Sequence, residues 1–228
     1  MKMKFGAIVV DGRGKIGGHV ASKNRAGAYL RTKVTPVNPR SGSQMQVRNW
    51  LAQMSQAWRG LTQAQRNAWN AAVTDFARTD IFGDLKNPSG FNLHNRLNIN
   101  LLRIDQSILT LPPAPAPVVD ILLDSVTATA STGDISMIFT PAGTADSDIV
   151  IRGTAPLSAG VNFVKSELRD FNVIGSSNPS PESLGVDYTA RFGAITGKAG
   201  SKIFIETVAI DRTTGLAGVP QIVSAIIQ

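Results

Sequence analysis

At 228 residues, with 43% hydrophobic and 17% charged side chains, the chain has room for one large domain or two small ones and apolar material enough for a core. It contains no cysteine, which excludes a disulfide framework, a thiolate zinc site and a cysteine nucleophile. Charge is divided unevenly: residues 1–117 carry 16 basic and 5 acidic side chains (net +11), residues 118–228 carry 7 and 11 (net −4), an asymmetry that concerns partners rather than fold.

The first ten residues hold two lysines and a short apolar run with no small-residue cleavage site behind it, so no signal peptide is expected. No stretch approaches the roughly 18 apolar residues of a membrane span. Residues 1–41 contain six glycines and scattered basic side chains. Short β-like runs at 5–10 and 28–34 flank a glycine-rich turn. So little apolar material predicts a basic arm or hairpin ordered against a partner rather than an independent domain.

Helical punctuation follows. Ser43 with Gln46 reads as a capping box, and Val47, Trp50, Leu51, Met54 and Trp58 recur at helical spacing until Gly60. Thr62 with Gln65 makes a second box, followed by Trp69, Val73 and Phe76. Two helices of about four turns joined by a short turn form an αα-hairpin. A third helix is predicted over 89–104, with Phe91, Leu93, Leu97, Leu101 and Ile104 on one side. Residues 111–117, LPPAPAP, form a stiff extended linker.

Beyond residue 118, β-rich runs at 121–129, 135–140, 148–154, 167–174, 186–192, 202–210 and 221–227 alternate with turns; in the second, Ile135, Met137 and Phe139 share a face. Asp211 to Gly215 (DRTTG) is a turn signal. Seven strands in about 110 residues match a β-sandwich of immunoglobulin or fibronectin-III type. The fold class is therefore α+β: a basic arm (1–41), a helical region (42–110), a proline-rich linker (111–117) and an all-β sandwich (118–228).

Gly12, Gly14 and Gly17 spell G-x-G-x-x-G after a β-like run. A dinucleotide site also needs a helix opening at the third glycine and an acid about 20 residues further on. After Asp11 the next acid is Asp75, the would-be helix contains Gly18 and Gly27, and no second βαβ unit follows. The motif reads as a turn using glycine's positive φ. Residues 193–198, GAITGK, have the wrong glycine spacing for a phosphate loop, and Ala199 stands where a Ser or Thr must hold magnesium. His19 and His94 lie far apart with no HExxH and read as surface or packing residues. The Asp146/Asp148 pair reads as a strand-edge turn. No catalytic residue, metal ligand or cofactor is expected, and the chain is read as not an enzyme.

The αα-hairpin also bears comparison with a DNA-reading helix-turn-helix. Arg48, Arg59 and Arg66 beside the turn favour that; the scarcity of bases on the second helix, with only Arg66 and Arg78, speaks against it. The tryptophans suit pinning the hairpin together or anchoring it in another subunit. For the arm, Lys15, Lys23, Arg25, Arg31, Lys33 and Arg40 suit non-specific phosphate contact, a solvated tail, or docking on an acidic protein surface. Docking fits best, because the glycines and the stretch TPVNP at 35–39 suit an extended strand laid on a partner. With Arg48, Trp50, Trp58 and Trp69, these cations form the candidate docking set.

Residues 31–70 carry Pro36, Asn38 and Pro39, then Gln44 and Arg48, then Trp58, Leu61, Thr62, Gln65, Arg66 and Trp69. This run resembles a motif of uncharacterised proteins encoded in tailed-phage and prophage structural regions. Ser89, Gly90 and Phe91 followed by Asn95 resemble the third helix of such proteins. The C-terminal half resembles, in general terms, the Ig-like modules of virion proteins. The resemblance implies a virion component, capsid-associated, auxiliary or connector-type. Its implied partners are capsid, portal or tail subunits, copies of itself and non-specific nucleic acid, with no membrane. Two other classes stay open: a nucleic-acid-binding protein using the basic half, and a host-surface or glycan-binding module using the loops at 158–161 and 176–182.

Overall fold

The computed structural model describes residues 2–3, 12–24, 27–118, 121–140, 146–175 and 179–228. The predicted run at 5–10 and the candidate residue Arg25 lie outside the described residues, as does part of the loop at 176–182. The architecture is α+β: antiparallel sheets at both ends of the chain with helices between them.

The N-terminal sheet contains β1 (Lys2–Met3), β2 (Gly14–Ile16), β3 (His19–Asn24) and β4 (Gly27–Thr32) in the order β1-β4-β3-β2. The glycine-rich stretch, expected to be one turn, is strand on both sides of a two-residue loop. Ile16 pairs with His19 across Gly17 and Gly18, and Gly17 has φ +56°, which a tight hairpin of matching twist requires. Ladder hydrogen bonds to a neighbour outweigh glycine's weak strand preference here.

α1 (Gly42–Gly60) starts two residues earlier than the Ser43 box implies: Ser41 is the N-cap and its hydroxyl accepts from the Gln44 amide at 3.4 Å. Ser43 is the second residue of the helix and its hydroxyl receives Arg191 Nη2 at 3.2 Å. The register was ambiguous because Ser41-x-x-Gln44 satisfies the same pattern as Ser43-x-x-Gln46. α2 (Gln63–Ala71) has the predicted box, with the Thr62 amide donating to Gln65 Oε1 (2.8 Å) and the Gln65 amide donating to Thr62 Oγ1 (3.3 Å). It is shorter than four turns, tightening into a 3₁₀ turn over Ala72–Thr74. A small hairpin, β5 (Arg78–Thr79) with β6 (Leu85–Lys86), was not predicted. α3 (Gly90–Arg103) begins at the N-cap Ser89 as expected. Leu61, Trp69, Phe76, Leu93 and Leu97 form the helical core.

The C-terminal unit is built from β7 (Leu122–Thr129), β8 (Asp134–Thr140), β9 (Ser147–Gly153), β10 (Arg169–Ile174), β11 (Glu182–Ser183), β12 (Lys202–Asp211) and β13 (Gln221–Ile226). One sheet runs β11-β8-β7 and the other β10-β9-β12-β13. Alternation sends Ile135, Met137 and Phe139 from one sheet and Ile149, Ile151, Ile203 and Ile205 from the other into a single core. Gln228 exchanges backbone hydrogen bonds with Ala128 and Ala130, joining the end of the chain to β7.

Residues 186–192, predicted as a strand, are helical: α4 (Gly185–Phe192). Val186, Tyr188, Ala190 and Phe192 alternate as a strand would, but Tyr188 and Phe192 are also four apart and share a helix face. That face wins. Tyr188 is fully buried, its ring lies 4.9 Å from Phe192 and 5.8 Å from Phe171, and Val186 is left 84% exposed. The short β11 takes the vacant place in the sheet.

The proline-rich segment has no regular structure, and α3 packs directly on the β unit. Leu101 of α3 and Ile104, its C-cap, pack with Val150 and Ile210 on the outer face of β9 and β12. Asn100 Nδ2 donates to the Gly215 carbonyl at 2.9 Å, and Arg103 meets Asp170 at 2.8 Å.

Candidate docking surface

Strand register distributes the arm's cations. Lys15, Val20 and Arg31 stand in one row across β2, β3 and β4, while Lys23, opposite Ala28, falls on the other face. Lys15, Lys23, Arg31, Lys33 and Arg40 are all exposed. In the described part of residues 12–41 Ala21 is the sole buried side chain; Ile16, Val34 and Val37 are largely in solvent. A protein hydrogen bond contributes a net ~1 kcal/mol, no more than the ~1–2 kcal/mol per residue of backbone entropy lost on ordering. With so little apolar burial among its described residues, the sheet draws little stability from them.

The helical corner is built differently. Arg48 Nη2 donates to Asn38 Oδ1 at 2.8 Å, tying the end of the arm to α1. Arg66 turns back on the end of α1 and donates to the carbonyls of Trp58 (3.3 Å) and Arg59 (2.8 Å), groups a helix terminus leaves unsatisfied. Trp69 has no exposed surface, and its indole donates to the Thr110 carbonyl at 3.0 Å. Trp58 is half-buried, edge-on to Phe91 and His94. Of the candidate docking set, then, Trp69 is committed to the chain's own core and Arg48 is held by Asn38; Arg66, weighed above as a DNA contact, is spent on capping. The motif of residues 31–70 specifies a helical corner.

His94 is wholly buried between Trp58 and Trp69, ring centroids 5.4 and 5.2 Å away, with Nδ1 facing Asn95 Oδ1 at 3.5 Å. Burial holds its imidazole below the ordinary histidine pKa, and the Asn95 contact offsets this in part. His19 is exposed on β3, remote from it in the sequence.

Trp50 is the tryptophan nearest a surface with room. It lines a groove of about 420 Å³ between α1, α3 and β10, with Gln46, Arg103 and Asp170. Beneath, Arg152 links Asp170 (3.2 Å) to Glu206 (2.6 Å). Also on α1, Val47 is 54% and Leu51 48% exposed. The sequence singled out Trp50 but missed its neighbours across the groove, which come from α3, β9 and β10, far from it along the chain.

Other elements are structural. Asp211 is buried in part, which alone would raise its pKa, but hydrogen bonds from Thr213 and Thr214 hold it below the usual carboxylate range. Those bonds shape the predicted DRTTG turn. Burial pushes the Tyr188 hydroxyl up, and it donates to the Thr154 carbonyl at 2.6 Å. Asp148, in β9 rather than an edge turn, is buried with Arg212 Nε at 3.4 Å. Just beyond the loop at 158–161 Phe163 stands 81% exposed, an aromatic the sequence reading passed over.

Among the described residues no three His, Cys, Asp or Glu side chains gather as metal ligands, and no helix is long and apolar enough to cross a membrane. Comparison with protein-family models, with curated proteins and with solved structures returns no match.

Proposed function

We propose that the chain is a non-enzymatic structural component of a phage particle, attached to neighbouring subunits through its cationic N-terminal sheet and the adjoining helices. The observation that carries this reading is the near-absence of buried side chains in the described part of a hydrogen-bonded, basic sheet. A sheet of this kind gains stability when a partner covers it, and its charge selects an acidic cover. The net −4 of residues 118–228 offers that charge on a neighbouring copy, and repetition in a symmetric particle multiplies weak contacts.

The C-terminal unit fits an immunoglobulin- or fibronectin-III-like module. Its first, second and fifth strands share one sheet, and its third, fourth, sixth and seventh share the other, the division expected of that sandwich with the fourth strand on the second sheet. In this reading the module projects from the particle or packs on neighbouring copies, and localisation is the virion.

The test is charge reversal of the arm in the full chain, K15E/K23E/R31E/K33E, followed by co-sedimentation with particles assembled in the producing host. Incorporation is expected to fall at least tenfold while the circular dichroism of the β unit is retained. Incorporation equal to wild type would sink the docking role.

A further inference from the structure

A second cationic site borders the arm at the end of β3, on residues outside the candidate docking set. The β5–β6 register sets Arg78 directly opposite Lys86, and like charges facing one another across a strand pair destabilise it. Arg96, one and a half turns into α3, shares with them a cleft of about 620 Å³ that also takes in Asn24, Asn87 and Asn92. The Arg96 guanidinium lies 5.7 Å over the ring of buried Phe76, which limits where its planar fork can point. Burial, and then the positive charge of Arg78, make Arg96 a poorer proton holder than a free arginine. Compensation is thin: Lys86 Nζ is 4.0 Å from Asp84, both well exposed, while among the described residues no carboxylate pairs with Arg78 or Arg96.

We propose that this cleft, between the β5–β6 hairpin and the first turns of α3, binds a phosphate group held by Arg78, Lys86 and Arg96. Three converging cations are the complement of a multiply charged tetrahedral oxyanion, whose several acceptor oxygens can each take an N–H donor. A carboxylate has two oxygens and one charge, too few to satisfy three cations. The amides of Asn87 and Asn92 supply neutral donors at the rim, and the first backbone N–H groups of α3 add a favourable field without being the basis of the site. The volume exceeds that of a phosphate ion, which leaves space for the group it esterifies. The phosphate is either free or part of a nucleic-acid backbone.

The experiment uses the full chain. Thermal unfolding is followed in inorganic phosphate and in chloride at equal ionic strength, and binding of a short random DNA duplex is followed by fluorescence anisotropy. Wild-type protein should be stabilised by phosphate beyond the chloride control. In R78Q/K86Q, two positions at or near the surface, that increment should disappear and phosphate affinity fall at least about tenfold. In chloride the variant should be as stable as wild type or more so, because opposed like charges are gone. Arg96→Lys keeps the charge but loses the planar fork and should also weaken phosphate binding. If the double variant loses duplex binding as well, the phosphate belongs to nucleic acid; if only inorganic phosphate is affected, it is free phosphate. A wild-type protein that responds to phosphate no more than to chloride, or a double variant that responds as wild type does, overturns the proposal. The arm's cations are intact in these variants, so failure here leaves the docking role of the arm standing.

Discussion

β3 pairs with β4 over six registered positions, and β12 pairs with β13 over six as well, yet the two sheets are held by different physics. β12 alone buries Ile203, Phe204, Ile205, Val208, Ala209 and Ile210, on both its faces, while β3 and β4 together bury Ala21. In the C-terminal unit the inner face meets a second sheet and the outer face meets α3. At the N-terminus the described strands form a ladder whose faces stay largely in solvent. Backbone pairing is common to both, so it does not decide which is a domain; removal of apolar area from water does, at about 25 cal/mol per Å².

The largest test of that contrast is a pair of truncations. Ile205→Ala, at a fully buried position, should cost about 2–5 kcal/mol in urea unfolding. Ile16→Ala, at a position 69% exposed, should change stability by less than about 0.5 kcal/mol. Equal costs would mean that the N-terminal sheet has a core after all. Next comes the joint between helices and β unit. Gly215 has φ +69°, and a Cβ there would run into the Leu97 carbonyl of α3. Gly215→Ala should therefore cost about 1–3 kcal/mol, and unfolding should separate into two transitions as α3 lifts from β12. A single unshifted transition would show that the joint accommodates the added Cβ.

A smaller effect concerns His94. Burial favours its neutral form, so the folded chain takes up this proton at a lower pH than the unfolded chain, whose histidine titrates near 6.5. The stability His94 contributes is complete above that value and is lost progressively as pH falls from it through the lower value of the folded chain. Unfolding curves between pH 7.5 and 5 should show the loss, and His94→Gln should flatten the profile over that interval; an equally steep profile in the variant would clear His94 of the effect. The smallest expected effect separates the two serines at the start of α1. Ser41→Ala should cost about 1 kcal/mol as a lost N-cap. Ser43→Ala should cost less, losing one exposed hydrogen bond to Arg191. The reverse order would restore the later helix start.

Much of the helical region was legible from residue order. Thr62 with Gln65, and Ser89 ahead of Gly90, mark helix starts because caps act over three residues and need no distant partner. The third helix's apolar face was legible for the same reason: Leu93, Leu97 and Leu101 recur within one helix. Where two local patterns were equally satisfied, local information failed. Residues 186–192 fit a strand and a helix alike, and Phe171, from β10, tips the choice by packing on Tyr188 and Phe192. Of the candidate docking set, composition marked the arm's cations, which are exposed where described, but no local signal separated Trp69, sealed under Thr110, from Trp50 at a groove.

By itself, then, the sequence determined the charge asymmetry, the starts of α2 and α3, most strand positions of the C-terminal unit and the turn at Asp211, all of which depend on composition or on neighbours a few residues apart. Tertiary structure alone decided that α3 lies on β9 and β12, that α4 is a helix, and that Arg78, Lys86 and Arg96 face one cleft. Those outcomes depend on which apolar faces meet once chain segments far apart in the sequence pack against each other. Spacing along the chain carries no record of that.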